Sequence, residues 1–105
     1  MATNLINTTF LSEYKPANWL FTSKEEMKKI NRALPVDDAF GMTLEDYAKN
    51  KSFNYLRMIR DQVVEFYSEK IRKAVRNSDE EKSLIEAMQS VTGVIDHYIY
   101  NPIES

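Results

Sequence analysis

The sequence predicts an all-α protein, a small helical bundle in which an irregular N-terminal arm and two short helices precede a long antiparallel helical hairpin. Three observations predict this class. Apolar residues recur at spacings of three and four along two long segments. Ser or Thr residues that can cap a helix stand near the start of the predicted helices. Only two glycines and three prolines interrupt the 105 residues, and a chain of this length supports one core.

The N-terminal arm is assigned to residues 1–21, and a single helical domain to residues 22–105. The arm shows neither the 3.6-residue period of a helix nor the alternation of a strand. Near its end it carries large aromatic and apolar side chains, namely Tyr14, Trp19, Leu20 and Phe21. The stripe of the helix that follows is too narrow to cover the last three together. We therefore expect them to reach the flank of the long hairpin or a second molecule.

The first short helix is predicted over about residues 23–34. Its start has two candidate capping boxes, Thr22 with Glu25 or Ser23 with Glu26. In each box the hydroxyl accepts a hydrogen bond from a first-turn amide while the glutamate reaches back. A narrow apolar stripe follows, formed by Met27, Ile30 and Leu34. The proline after this stripe is expected to end the helix.

The second short helix is predicted over about residues 43–50, where Thr43 and Asp46 form another capping box. On a projection at about 100° per residue, its apolar side lies roughly opposite that of the following helix. One continuous helix would leave one of these sides in water. We therefore expect a break near residues 50–52.

The third helix, about residues 52–76, has the strongest helical pattern in the chain. Its apolar residues cover somewhat more than half the circumference, and polar residues fill the other side. The apolar set is Phe53, Leu56, Ile59, Val63, Val64, Phe66, Tyr67, Ile71, Ala74 and Val75. An arc of this width requires more than one packing partner.

The fourth helix, about residues 78–100, begins with a capping pair of Ser78 and Glu81. Its apolar seam steps by fours and threes through Leu84, Met88, Val91, Ile95 and Tyr98. Only about one residue, Asn77, separates it from the third helix, so the two should fold back as an antiparallel hairpin. Each helix would be about 30 Å long or longer, which predicts an elongated domain.

Arg60 lies near the middle of the apolar arc of the third helix, where a buried unpaired cation is strongly disfavoured. Antiparallel pairing places it near residues 94–98. We interpret it first as an internal ion pair or a side chain that extends to water, and second as a contact between subunits. Gly93 lies near the polar side of the fourth helix with His97 and Tyr100, and it indicates close approach by another chain or by the arm.

Composition and charge argue against several classes of protein. The net charge is −2, without the basic excess of a nucleic-acid-binding surface. The basic run at residues 70–76 sits where a helix C-terminus favours cations, and Glu69 can pair with Lys73. The chain has no cysteine, secretory signal or apolar run long enough for a membrane. We expect a protein of the cytoplasm, or of a particle assembled inside a cell, with no membrane contact.

Catalytic, cofactor-binding and metal-ligating residues are not predicted. His97 is the only histidine, and adjacent Asp96 points about 100° away from it on a helix. The carboxylates of Asp61, Glu65 and Glu69 share one helical face, but no Glu-x-x-His pair accompanies them as in di-metal bundles. We also find no glycine-rich phosphate loop and no nucleophile elbow. The protein is therefore predicted not to be an enzyme and to need no cofactor.

Two functional hypotheses remain beside a cryptic enzyme that would use His97. The first is a non-catalytic interaction or assembly subunit, in a homo-oligomer or a larger particle. The alternative is a small regulator or inhibitor, encoded by a phage or mobile element, that binds one protein or nucleic-acid machine. The predicted interaction residues are Tyr14, Trp19, Leu20, Phe21, Arg60, His97 and Tyr100.

Overall fold

A computed structural model of the chain describes residues 5–16, 22–34 and 42–100. Five α-helices lie in these ranges: α1 (Thr8–Glu13), α2 (Lys24–Ala33), α3 (Leu44–Lys49), α4 (Phe53–Lys73) and α5 (Asp79–Tyr100). No β-strand occurs among the described residues. The predicted all-α class is confirmed, and the two longest helices pack on each other as the predicted hairpin.

Helix α4 ends three residues earlier than the periodicity predicts. Its last residue is Lys73, and the chain then turns through a connection in which Asn77 adopts a positive φ of 65°. Asparagine tolerates this left-handed conformation better than most residues. Ser78 then accepts a hydrogen bond from the amide of Glu81 at 3.2 Å. Val75, assigned by periodicity to the apolar arc, lies in this turn and is 73% exposed.

The predicted break between the second short helix and the long one is present. Lys51 adopts a positive φ of 59°, which changes the direction of the chain between α3 and α4. The amide of Ser52 donates to the carbonyl of Tyr47 at 2.9 Å, so the last turn of α3 remains hydrogen-bonded. The turn brings the ring of Tyr47 onto that of Tyr55, with centroids 4.3 Å apart. The break thereby lets α3 pack on α4.

The start of α3 has the predicted capping box. Thr43 accepts from the amide of Asp46 at 3.2 Å, and Asp46 accepts from the amide of Thr43 at 2.9 Å. The hydrogen bonds from the backbone and hydroxyl of Thr43 hold the pKa of Asp46 below its usual value. At α2 the N-cap is Ser23, whose hydroxyl accepts from the amide of Glu26 at 3.2 Å, while the carboxylate of Glu26 accepts from the hydroxyl of Tyr14 at 3.3 Å.

Helix α1 lies within the segment that the sequence predicts to be irregular. Asn7 caps it by accepting from the amide of Phe10 at 3.0 Å. Six residues are too few to show a period or to be stable alone, so packing must stabilise this helix. Leu11 is buried, and its carbonyl accepts a hydrogen bond from the hydroxyl of Tyr67 at 3.1 Å. Ile6, Leu11 and Tyr14 of the arm therefore belong to the core.

The core lies between the hairpin and a layer formed by α1, α2 and α3. Helix α5 contacts α2, α3 and α4 and contributes more buried residues than any other described helix. The most buried large side chains of the core are Tyr67, Leu11, Ile30, Leu34, Leu44, Leu56, Ile59 and Ile95. Ser90 is also buried, and its hydroxyl has no hydrogen-bond partner among the described residues. Its position shows that α5 is covered on this side.

The overall dimensions limit the predicted elongation. The principal extents are 44, 35 and 20 Å, and the radius of gyration is 13.6 Å. A compact chain of this length has a radius of gyration of about 13 Å. The short helices widen the molecule beside the hairpin, which gives a flattened shape. None of the described helices combines the length and apolarity needed to cross a lipid bilayer.

Replacing Tyr67 by Phe should lower the free energy of unfolding by about 1 kcal/mol, because the carbonyl of Leu11 loses its donor in a buried site. Urea denaturation followed by circular dichroism measures this change. Tyr100→Phe is the matched control, since Tyr100 is 73% exposed and should be within about 0.5 kcal/mol of wild type. Equal stability of the two variants would contradict the role given to the bond.

Candidate functional site

Arg60 and Asp96 form an ion pair across the two long helices. The Nε atom of Arg60 donates to Oδ1 of Asp96 at 2.7 Å. The two side chains remain 40% and 33% exposed, so the pair lies at the edge of the helix–helix contact. Asp96 falls within the segment that antiparallel pairing predicts for the partner of Arg60. The structure therefore contains the internal pair, and a pair with this exposure contributes up to about 1 kcal/mol to stability.

A line of partly exposed side chains runs along the hairpin on either side of this ion pair. Because α5 runs antiparallel to α4, moving one turn along α4 from Arg60 to Val64 matches moving one turn back from Asp96 to Thr92. Three turns from the pair, the same register places Ile71 of α4 opposite Ile85 of α5. We call this line the outer seam. It consists of Arg60, Val64 and Ile71 on α4 and Ile85, Thr92 and Asp96 on α5, all partly exposed.

The N-terminal segments bind α4 on its other side. The amide of Leu5 donates to Oε1 of Gln62 at 2.7 Å, and Tyr47 stacks on Tyr55. At about 100° per residue, Gln62 and Tyr55 lie roughly 140–180° around α4 from the residues of the outer seam. These two contacts lie on the side of α4 away from the outer seam. Tyr67, which lies about 20–60° around α4 from the seam residues, is buried and bonds the carbonyl of Leu11 in α1.

Helix α5 shows the same division. Tyr98 faces α3, where burial and the negative charge of Glu45 raise its pKa. Tyr98 and the buried Ser90 both lie about 140° around α5 from its part of the outer seam. The hairpin consequently has one side that packs on α1, α2 and α3 and another side that carries the seam.

Tyr14, predicted as an interaction residue, lies within the core of its own chain. It is 8% exposed, its ring stacks on Phe10 with centroids 5.6 Å apart, and its hydroxyl donates to Oε2 of Glu26 at 3.3 Å. Burial, with the carboxylate of Glu26 adding to the effect, raises the pKa of Tyr14 to about 12. The contacts of Tyr14 with Phe10 and Glu26 attach the end of α1 to α2, and little of the Tyr14 side chain remains exposed for contact with a partner.

His97 and Tyr100 both lie on the exposed side of α5. The ring of His97 meets the ring of Tyr98 edge to face at 5.5 Å. Asp96 bonds Arg60, so the carboxylate next to His97 in sequence serves the ion pair. A methyl group built on Gly93 would meet nothing within 4 Å among the described residues. The close approach that Gly93 indicates is therefore not made by the described part of the arm.

Trp19, Leu20 and Phe21 lie outside the described residues. Of the four predicted interaction residues that the structure describes, Arg60 alone lies on the outer seam. Tyr14 is buried on the opposite side of the hairpin, and His97 and Tyr100 follow the exposed side of α5. Tyr14, Arg60, His97 and Tyr100, the predicted residues that the structure describes, thus do not lie together in one site.

A concave surface, separate from the outer seam, lies between the end of α1, the last turns of α4 and the first turns of α5. It encloses about 710 Å³. Its apolar floor includes Leu11, Tyr14, Tyr67, Leu84 and Ala87, and its charged rim includes Lys15, Lys70, Lys73, Glu80 and Glu86. The rim has three lysines, on α4 and after α1, and two glutamates on α5, so charges of both signs line it.

The basic run at residues 70–76 is partly neutralised by its neighbours. Lys73 pairs with Glu69 at 3.4 Å as predicted, and the ammonium of Lys70 lies 5.0 Å from the ring centroid of Phe66. In the ranges that the structure describes, no group of three or more His, Asp or Glu side chains is arranged to hold a metal ion.

Two polar residues that sequence reasoning did not single out join the layers of the fold. Asn31 is buried and accepts a hydrogen bond from the amide of Glu45 at 2.7 Å, which joins α2 to the start of α3. Gln62, assigned to the polar side of α4, accepts from the amide of Leu5. A polar residue at the flank of an apolar stripe is a weak signal of such a role, because most residues there are solvated.

Comparison with known proteins identifies no relative: no family model, no curated protein and no solved structure matches the chain.

Stability should fall between pH 10 and about 12 through Tyr14. An unfolded tyrosine loses its proton near pH 10, whereas Tyr14 in the folded chain keeps it until about pH 12. The raised folded pKa thus contributes stability below pH 10 that is lost as the pH rises through this window, on the order of 2 kcal/mol. Urea denaturation at several pH values measures the loss. Tyr14→Phe should show a smaller pH dependence, and an unchanged slope would contradict the assignment.

Gly93→Ala should raise the free energy of unfolding by up to about 1 kcal/mol, because alanine is the better helix former and the added methyl group meets open space. The melting temperature should rise by about 4 °C or more for a gain of that size. Gln89→Ala, one turn away on the exposed side of α5, is the control. It also introduces alanine but replaces a residue that already has a good helix propensity, so its melting temperature should change little. A lower melting temperature for Gly93→Ala would indicate that another chain packs closely on this position.

Proposed function

We propose that the protein is a non-catalytic interaction or assembly subunit that binds a protein partner through the outer seam. The observation that carries this proposal is the position of the seam. It runs along the two longest described helices, on the side of α4 away from its contacts with Leu5 and Tyr47. A helix pair packed on one side by its own chain offers the other side to a second molecule.

The chemistry of the outer seam supports a protein as the partner. Val64, Ile71 and Ile85 supply apolar contact, and Thr92 adds a hydroxyl. A single Arg–Asp pair supplies charge of both signs. Interface centres typically combine apolar side chains with arginine and few other charges. A nucleic acid would favour a cluster of cations instead.

The size of this face corresponds to a weak, reversible complex. Helix α4 has 21 residues, which corresponds to about 31 Å. Two adjacent helices are about 20 Å wide, so the hairpin face covers roughly 600 Å² in projection. A typical specific interface buries about 800 Å² per partner. The face is therefore large enough for a reversible complex and small for an obligate one.

The same proposal places the protein in the cytoplasm or in a particle assembled there. Its support is compositional, since a chain with no cysteine needs no oxidising compartment for disulfide formation.

Site-specific photo-crosslinking tests the proposal. A photo-reactive p-benzoylphenylalanine replaces Val64 in one variant and the exposed Glu65 in a matched control, and each is irradiated in cells of the natural source. We expect a discrete higher-mass adduct from position 64 and none from position 65, because the two side chains point about 100° apart on α4. Equal labelling at both positions, or none at either, would contradict an interaction through the outer seam.

A further inference from the structure

We infer that the occupant of the outer seam is a second copy of this chain, bound so that Arg60 of each subunit meets Asp96 of the other. This inference rests on the proposed function, because it names the partner of the same surface. It is carried by the arrangement of charge on the seam and by the register of the two helices.

The charge on the seam is self-complementary. A symmetric dimer brings the same patch of both subunits together, so each residue must suit its counterpart on the other chain. Arg60 lies on α4 and Asp96 lies opposite it on α5. A two-fold axis that runs between the helices, parallel to both, places α4 of one subunit over α5 of the other. Each Arg60 then faces an Asp96, and like charges are not opposed.

The ion pair retains bonding capacity for a second partner. Within the described residues, its bond joins Nε of Arg60 to Oδ1 of Asp96. The two Nη groups of the guanidinium and Oδ2 of the carboxylate remain for other hydrogen bonds, since arginine has five donor hydrogens and a carboxylate accepts at both oxygens. Two such pairs brought together form an alternating ring of four charges. A network of this kind is stronger than the isolated exposed pair.

The apolar residues of the seam fit the same axis. Val64 of one subunit would lie over Thr92 of the other, and Ile71 would lie over Ile85, because those pairs are already opposite within one chain. The four long helices would form a bundle in which every helix is antiparallel to its neighbours. In this bundle the N-terminal segments stay on the two outer sides, where Leu5 bonds Gln62 and where α2 and α3 pack on α5.

Mixing two charge-reversal variants tests this inference, because recovery of the dimer in the mixture requires the charges to pair between subunits and not only within one chain. Arg60→Asp leaves two acidic residues on the seam, and Asp96→Arg leaves two basic residues. Each variant alone should therefore dimerise less, by about tenfold or more in dissociation constant. An equimolar mixture should recover the dimer, because the acidic seam of one variant faces the basic seam of the other.

Sedimentation equilibrium on the purified full chain measures these dissociation constants over about 1 to 200 µM. The monomer mass is 12.3 kDa, so a dimer is resolved easily. Arg72→Asp and Glu65→Arg carry the same charge changes at exposed positions outside the seam and should dimerise like wild type. Circular dichroism checks that each variant is folded. If a charge reversal unfolds the chain, Arg60→Gln and Asp96→Asn should still weaken the dimer.

The outcomes separate this inference from the proposed function. A dimer that is weakened by each single variant and recovered by the mixture supports the inference. A wild-type monomer throughout the concentration range overturns it, as does a dimer that single variants and their mixture leave unchanged. In either case, an adduct with a different protein at position 64 keeps the proposed function, whereas no adduct at position 64 removes both.

Discussion

Helix α5 has to be covered on two sides at once, and the rest of the structure depends on how this is done. One side packs along α4, and the other faces α2 and α3. No single neighbour can cover an arc of that width. The short N-terminal helices therefore pack against the hairpin even though none of them is long enough to be stable alone. Their arrangement follows from the need to cover α5.

Specific hydrogen bonds determine how the N-terminal layer sits on the hairpin. The hydroxyl of Tyr67 bonds the carbonyl of Leu11, and Gln62 bonds the amide of Leu5. Asn31 joins α2 to α3 in the same way. Apolar contact alone is non-directional, so bonds of this kind are what give the layer one orientation. The bond between Leu5 and Gln62 lies on the side of α4 away from the outer seam, so it helps to determine which side of α4 the N-terminal segment covers.

The outer seam combines two properties that explain why it is the best candidate for binding. Its residues lie on long helices that are held by packing on their other side, so they lose little conformational freedom when a partner binds. Its one ion pair is partly exposed and contributes little to the stability of the single chain. We therefore expect Arg60 and Asp96 to contribute more to the choice of a binding partner than to the stability of the single chain.

The sequence by itself determined the helical class, the break after α3, the caps at Ser23, Thr43 and Ser78, and the antiparallel hairpin. These features depend on local chemistry and on the period of apolar residues, which are read directly from neighbouring positions. It also placed Arg60 against the segment that contains Asp96, because a short connection determines antiparallel register.

Only the tertiary structure decided that residues 8–13 form a helix, that Tyr14 is buried, and that α4 ends at Lys73. Helix α1 is stabilised by contacts with residues more than fifty positions away, and no local pattern records them. The division of the hairpin into a covered side and an outer seam has the same origin. Periodicity shows how wide an apolar arc is, but the neighbours that cover each part of it are determined by packing.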